Sequence, residues 1–166
     1  MQNSRCKTGF TIVEVLLALA IAGILLAAVA TAFNASAINF RENEEIFRVV
    51  NNARQALCRM TSQIRTADAV DPNAPSNECS FITAAGEDLT YRYNSGDKKL
   101  YLITNDDLSD PDYILCDNVS ALTCTKNSVL EDSTIKVKSV QISMTVGYGD
   151  LKRTVSTAAV VRRNLN

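Results

Sequence analysis

Charged side chains are almost absent from the first quarter of the chain. Between Lys7 and Arg41 the only charged residue is Glu14, and residues 15–40 carry no charge at all. An apolar run of this length can cross the hydrocarbon core of a bilayer as a helix. The pattern therefore predicts that residues 10–40 form a transmembrane helix.

A helical pattern continues beyond the apolar run. Apolar residues recur there at intervals of three or four, which is the spacing of one helix face. They are Ile46, Val50, Ala53, Leu57, Met60 and Ile64. The first proline of the chain is Pro72, so no proline breaks the helix before that point. We expect one helix from about residue 10 to about residue 67, with a soluble half within residues 41–70.

The rest of the chain, residues 71–166, alternates short β-rich runs with turn residues. The segment 71–75 contains prolines and ends the helical pattern. The predicted strands are residues 79–83, 89–93, 100–103, 113–116, 120–125, 137–146 and 154–162. Short turns between such runs indicate an antiparallel meander. One amphipathic helix followed by antiparallel strands predicts an α+β fold in which a sheet covers the apolar face of the helix.

Composition argues against catalysis and against nucleic-acid binding. The 166-residue chain has no histidine, which excludes imidazole-based triads and the usual zinc ligand sets. No paired-carboxylate motif is present either, and we therefore expect no enzymatic activity. The net charge is -1, so the chain has no basic field that would hold a phosphate backbone.

The cysteines indicate an oxidising compartment. Cys6 precedes the apolar run, and Cys58, Cys79, Cys116 and Cys124 follow it. Four cysteines in a polar region, without a C-x-x-C pair, predict two disulfides. Of the three connectivities we favour the neighbouring pairs, Cys58 with Cys79 and Cys116 with Cys124. The alternative is four reduced cysteines in the cytosol.

The residues before the apolar run predict its orientation. Arg5 and Lys7 stand there without any acidic residue, so the positive-inside rule keeps this end in the cytoplasm and places the remainder outside. An ordinary signal peptide begins in the same way, and the Ala-Val-Ala of residues 28–30 offers it a cleavage site. That alternative is disfavoured because the apolar run is too long and because Glu14 costs about 2.5 to 3.5 kcal/mol inside a membrane.

The junction between the leader and the apolar run has a specific pattern. Residues 7–20 read KTGFTIVEVLLALA, which places a glycine, an aromatic residue and a buried glutamate at fixed offsets after a basic leader. This pattern resembles the prepilin signature of type IV pilins and type II secretion pseudopilins. The resemblance implies that a membrane prepilin peptidase cuts between Gly9 and Phe10 and methylates the new amine of Phe10.

Removal of the leader, residues 1–9, also removes Cys6 and leaves an even number of cysteines. The resemblance implies that Glu14 then neutralises the Phe10 amine of a neighbouring subunit in a filament. The alternative is that Glu14 pairs with the amine of its own chain. The implied partners are other pilin or pseudopilin subunits, the prepilin peptidase and an inner-membrane assembly platform.

The implied function is that of a structural filament subunit. Such a chain crosses the bacterial inner membrane once, with its C-terminal domain in the periplasm or outside the cell, before it enters the filament. Residues 113–119 and 160–164 resemble the minor-pilin W and minor-pseudopilin J group, which favours a minor subunit over a major pilin. From other classes, the alternatives are a secreted or membrane-anchored, disulfide-stapled binding domain with an ordinary signal peptide and, less favoured, an envelope enzyme.

An acidic loop offers oxygen ligands to a cation. It contains Asp106, Asp107, Asp110 and Asp112, and calcium binds clusters of carboxylates. The loop lacks the spacing and the glycine of an EF-hand, so a solvated acidic loop is the favoured interpretation. We expect no cofactor.

Overall fold

The computed structural model of the chain describes residues 9–107, 109–131 and 134–164. The predicted leader, with Cys6, therefore lies outside the described residues except for Gly9. The elements are α1 (Ile12–Thr66), β1 (Ala69–Val70), β2 (Glu78–Ile82), β3 (Asp88–Asn94), β4 (Lys99–Thr104), β5 (Tyr113–Cys116), β6 (Val119–Glu131), β7 (Thr134–Tyr148), β8 (Leu151–Val160) and a terminal 3-10 turn (Arg162–Asn164).

The long helix predicted from the sequence is confirmed. The helix ends at Thr66. Two residues later the Asp68 N–H donates a hydrogen bond to the Ile82 carbonyl at 2.9 Å, and the chain enters β1. The chain divides into two compact units between Asn43 and Glu44, within this helix.

In the second unit, one face of α1 is buried in the core. Its members are Ile46, Val49, Ala53, Ala56, Leu57, Met60, Thr61 and Ile64. Five of the six residues of the predicted apolar face are among them, and the sixth, Val50, is half-buried against the core. The spacing of three and four therefore identified the buried face of the helix correctly.

The strands form two antiparallel sheets, whereas the sequence pattern predicted one meander. Among the described residues, one sheet has the order β1-β2-β3-β4-β5 and the other has the order β6-β7-β8. The break lies at Asn118, whose left-handed φ of 55° turns the chain out of β5 and into β6. The two-residue strand β1 is too short to show periodicity, and it exists through its pairing with β2.

The strands β6 and β7 are longer than predicted. Their pairing continues to Glu131 opposite Thr134, which extends the hairpin past the predicted ends at residues 125 and 137. At the tip, the Glu131 carboxylate lies 2.6 Å from the Lys138 ammonium, and this contact lowers the pKa of Glu131. Val129 and Leu130 stand side by side and are both exposed, so this part of the hairpin lacks the alternation of buried and exposed positions from which a strand is predicted.

The core of the second unit contains side chains from α1 and from both sheets. Met60 of α1, Phe81 and Tyr91 of the first sheet and Ile142 of the second sheet are all essentially unexposed. The rings of Phe81 and Tyr91 stack, with centroids 5.6 Å apart and planes inclined by 19°. A long N-terminal helix packed on antiparallel sheets is the predicted α+β, pilin-like architecture.

Candidate functional site at the start of the helix

The predicted cleavage point lies just before α1. Gly9 and Phe10 are exposed and non-helical, and the helix begins at Ile12. No described atom lies within 4 Å of the position that a Cβ would take at Gly9. The fold of this chain therefore does not require glycine at residue 9, and a requirement for it would have to come from a molecule that binds the segment.

Thr11 and Glu14 cap the helix reciprocally. The Glu14 carboxylate accepts hydrogen bonds from the Thr11 N–H at 2.9 Å and from the Thr11 hydroxyl at 3.0 Å. The Glu14 N–H in turn donates to the Thr11 hydroxyl oxygen at 3.3 Å. This arrangement is a capping box, which satisfies backbone donors that have no partner at a helix start. It explains why the helix begins at Ile12 and why Phe10 stays outside it.

In the intact chain Glu14 has a partner, Thr11, that was not expected from the sequence, while the two expected partners become available only after cleavage. Those were the Phe10 amine of a neighbour and the Phe10 amine of its own chain. In the intact chain residue 10 is still part of a peptide bond, and Glu14 binds Thr11 instead. Thr11 is absent from the residues predicted from the sequence, although Thr-x-x-Glu is the spacing of a capping box.

The apolar part of α1 lies entirely in the first compact unit and buries none of its side chains there. From Phe10 to Phe40 every residue is exposed. The helix contains one stretch that is long and apolar enough to cross a membrane. It runs unbroken through Gly23, where a Cβ would meet no described atom within 4 Å.

The four cysteines carry no S–S bond in the structure, and the pairs Cys58 with Cys79 and Cys116 with Cys124 stay predictions. Cys58 is exposed on α1, whereas Cys79, Cys116 and Cys124 are buried. A different pair is brought together, because the Cys124 thiol interacts with the Cys79 thiol. Neighbours in sequence were expected to pair, but the packing of β2 against β6 joins residues from two sheets.

The acidic loop does not gather its carboxylates around one point. Asp106 accepts the Asp88 N–H at 2.7 Å, Asp107 accepts the Ser109 N–H at 2.9 Å, and Asp110 accepts the Thr104 hydroxyl at 3.1 Å. The hydrogen bonds from Ser109 lower the pKa of Asp107. Within the described ranges, no group of three or more acidic or cysteine side chains is arranged to hold a metal ion. These carboxylates organise the loop.

Comparison with known protein families gives a match at the start of the chain. The family described as the prokaryotic N-terminal methylation motif matches residues 4–30, a range that includes Gly9, Phe10 and Glu14. No curated protein and no solved structure is matched by the chain. The match does not reach the sheets, so it does not select among groups of filament subunits. Residues 4–30 of this chain therefore match the prokaryotic N-terminal methylation motif, and the match supports a type IV pilin-like prepilin signal at this end.

Proposed function

We propose that the chain is a prepilin-like structural subunit of a type IV filament system, and that it acts by assembly and not by catalysis. The observation that carries this proposal is the methylation motif at an exposed, capped helix start that is followed by residues 15–40 without a charged side chain. Among the alternatives, an ordinary signal peptide does not account for the glycine, the aromatic residue and the glutamate together. An enzyme is disfavoured because the chain has no histidine.

The first step of this function is cleavage between Gly9 and Phe10 by a membrane prepilin peptidase. A peptidase binds an extended backbone, and both residues are non-helical and exposed. The capping box supports this state because it starts the helix at Ile12 and leaves the scissile bond outside it. The same enzyme then methylates the Phe10 amine.

The second step is lateral assembly of the apolar helices. Their side chains are unburied in the isolated chain, and helix packing inside a filament would cover them. Cleavage also creates a positive amine on Phe10. Glu14 accepts both hydrogen bonds from Thr11 through Oε2, so Oε1 is available to the amine of a neighbouring subunit while the cap stays in place. Pairing charges in an apolar environment favours a single stagger between subunits, because a wrong stagger leaves both charges unpaired.

The proposed location follows from the charges that flank the apolar run. Arg5 and Lys7 stay in the cytoplasm, and the unit from Glu44 onward lies in the periplasm or outside the cell. The partners are other pilin or pseudopilin subunits, the prepilin peptidase and the inner-membrane assembly platform. We place the chain among the minor subunits, because residues 113–119 and 160–164 resemble the minor-pilin W and minor-pseudopilin J group.

Intact-mass measurement of the protein extracted from membranes tests this function. The expected mass lacks residues 1–9 and contains one added methyl group on Phe10. A protein that starts at Thr31 would have been cut as an ordinary signal peptide, and the filament proposal would then give way to a secreted or membrane-anchored binding domain. A protein that keeps its leader in cells containing an active prepilin peptidase would also overturn it.

A further inference from the structure

Two buried cysteines face each other across the two sheets. Cys79 lies in β2 of the first sheet and Cys124 lies in β6 of the second sheet. Their exposed fractions are 0% and 4%. Because the two strands belong to different sheets, no strand ladder joins them at this point. The two strands are therefore held together by side-chain contacts and by hydrogen bonds from the segments that flank them.

The segment before β2 is bound directly to β6. The Cys124 N–H donates to the Ser76 carbonyl at 2.7 Å. Two residues further along β6, the Lys126 ammonium donates to the Ala74 and Pro75 carbonyls. These bonds place the start of β2 beside Cys124 and bring the Cys79 side chain to it.

The two thiols also interact with each other. The Cys124 thiol donates a hydrogen bond to the Cys79 sulfur, which lowers the pKa of Cys79, and the positive charge of Lys126 lowers it further. The same hydrogen bond and burial raise the pKa of Cys124. Cys79 is therefore the more acidic thiol of the pair.

We propose that Cys79 and Cys124 form a disulfide that joins the two sheets, while Cys58 and Cys116 remain thiols. The proposal uses the proposed function in one respect, the location of this unit in an oxidising compartment. Cys58 is exposed on the helix. The Cys116 thiol donates to the carbonyl of Asp117 at 3.4 Å, and burial raises its pKa to about 11.

The oxidant is a protein disulfide, supplied by a thiol–disulfide oxidoreductase of that compartment. One of the two cysteines, as its thiolate, attacks one sulfur of this disulfide, forms a mixed disulfide and releases the other sulfur as a thiolate. The second cysteine then loses its proton and attacks the sulfur of the first, which forms the Cys79–Cys124 bond and releases the second thiolate. Two electrons and two protons pass to the oxidoreductase, which leaves as a dithiol. Since both sulfurs are buried in the folded unit, the exchange precedes closure of the sheets.

Peptide mapping of the full chain tests the pairing. The protein is extracted from membranes with free thiols blocked by an alkylating reagent, and it is cut without reduction by a protease that cleaves before aspartate. The sequence then places Cys79 in peptide 71–87 and Cys124 in peptide 117–131, with Cys58 and Cys116 in other peptides. We expect a linked 71–87/117–131 species and alkylated Cys58 and Cys116. Alkylation at all four positions, or a link through Cys58 or Cys116, would overturn the proposal.

A thermal measurement on full-length variants tests the same bond without peptides. Reduction of the unfolded protein, followed by refolding in the presence of the reductant, should lower the Tm of the parent and of the control Cys116→Ser by about 8 °C or more. It should leave the Tm of Cys79→Ser and Cys124→Ser unchanged. If these two variants do not fold, peptide mapping of the parent still decides the pairing. A parent Tm that is insensitive to reductant would contradict the proposal.

The N-terminal mass separates this inference from the proposed function. Cleavage after Gly9 together with four free thiols would overturn the disulfide proposal and leave the filament function standing. A linked Cys79–Cys124 peptide in a protein that starts at Thr31 would sink the filament function and leave the disulfide standing.

Discussion

The Tyr91 hydroxyl donates a hydrogen bond to Oε1 of Gln63, which ties the middle of β3 to the soluble half of α1. The Tyr91 ring is fully buried and stacks on Phe81. Burial raises the pKa of Tyr91 to about 12, although the nearby Arg59 charge opposes this shift. One side chain therefore joins the helix to the sheet and must stay protonated to do so.

The stability of this unit should fall in alkali because of Tyr91. In the unfolded chain the Tyr91 hydroxyl ionises at about pH 10, whereas its pKa in the folded unit is about 12. A raised folded pKa contributes stability that is complete below the unfolded value and is lost as pH rises through the folded value. The free energy of unfolding should drop by about 1 kcal/mol from this group by about pH 11, and by more near pH 12.

Denaturant unfolding of the parent and Tyr91→Phe at about pH 8 and about pH 11 measures this effect. The variant should be slightly less stable at the lower pH, since Gln63 loses a partner but is partly open to water. Its stability should fall less than that of the parent between the two values. Equal losses in the two proteins would show that Tyr91 is not the group that titrates.

The sequence predicted the elements in which apolar residues recur with a regular period. It did not predict the features that depend on packing between distant parts of the chain. The face of α1 that carries Leu57 and Met60 was predicted because its spacing recurs over several turns. The split into two sheets depends on a left-handed turn at Asn118, which no periodic pattern reports. The contact of Cys79 with Cys124 joins strands far apart in the chain, so spacing along the sequence pointed to other pairs.

At the candidate site, the sequence identified the residues and missed one interaction. Gly9, Phe10 and Glu14 stand in a motif of fixed offsets, and the methylation-motif match covers them. The role of Thr11 in holding Glu14 depends on a side-chain conformation. The Thr-x-x-Glu spacing signals that conformation, whereas the sequence prediction paired Glu14 with the Phe10 amine of a neighbour or of its own chain.

The fragment 44–166 should fold without the apolar half of the helix, because it contains the whole hydrophobic core. Within this fragment, Met60→Ala should lower the free energy of unfolding by about 2 to 5 kcal/mol, since it leaves a cavity at a site with 0% exposure. The control is Phe47→Ala on the same helix, where the ring is 65% exposed. Its effect should stay below about 1 kcal/mol.

Urea unfolding of the fragment and its two variants, followed by circular dichroism, gives these values. A non-cooperative transition in the parent fragment would show that the apolar half is needed for folding. Similar losses for Met60→Ala and Phe47→Ala would contradict the burial pattern of the helix.

Gly9→Val should block leader removal and leave the fold intact. A Cβ at residue 9 would have no described atom within 4 Å, so we expect the effect of the substitution to come from the peptidase, which needs access to the backbone. The matched control is Gly23→Val, which adds the same side chain to an equally open position of α1. The measurement is the ratio of precursor to processed protein on gels of membrane fractions. Full processing of Gly9→Val would rule out a glycine-dependent cut at this bond.

Glu14 should matter for assembly and not for folding, since the core lies entirely beyond Asn43. Three substitutions separate its two roles at the helix start. Glu14→Gln keeps an acceptor for Thr11, as capping boxes allow, but removes the charge. Glu14→Asp keeps the charge on a side chain shortened by one methylene, and Glu14→Ala removes both the cap and the charge.

If Glu14 neutralises the Phe10 amine of a neighbour, Glu14→Gln should assemble as poorly as Glu14→Ala, and Glu14→Asp should be intermediate. If the capping box is the important contact, Glu14→Gln should assemble like the parent. The readout is co-purification with the other filament subunits after mild extraction, beside the Tm of the unit from Glu44 onward, which none of the three variants should change. Normal assembly of Glu14→Ala would eliminate both explanations. It would leave Glu14 with pairing to its own chain or with recognition by the peptidase, and the ratio of precursor to processed protein distinguishes these two roles.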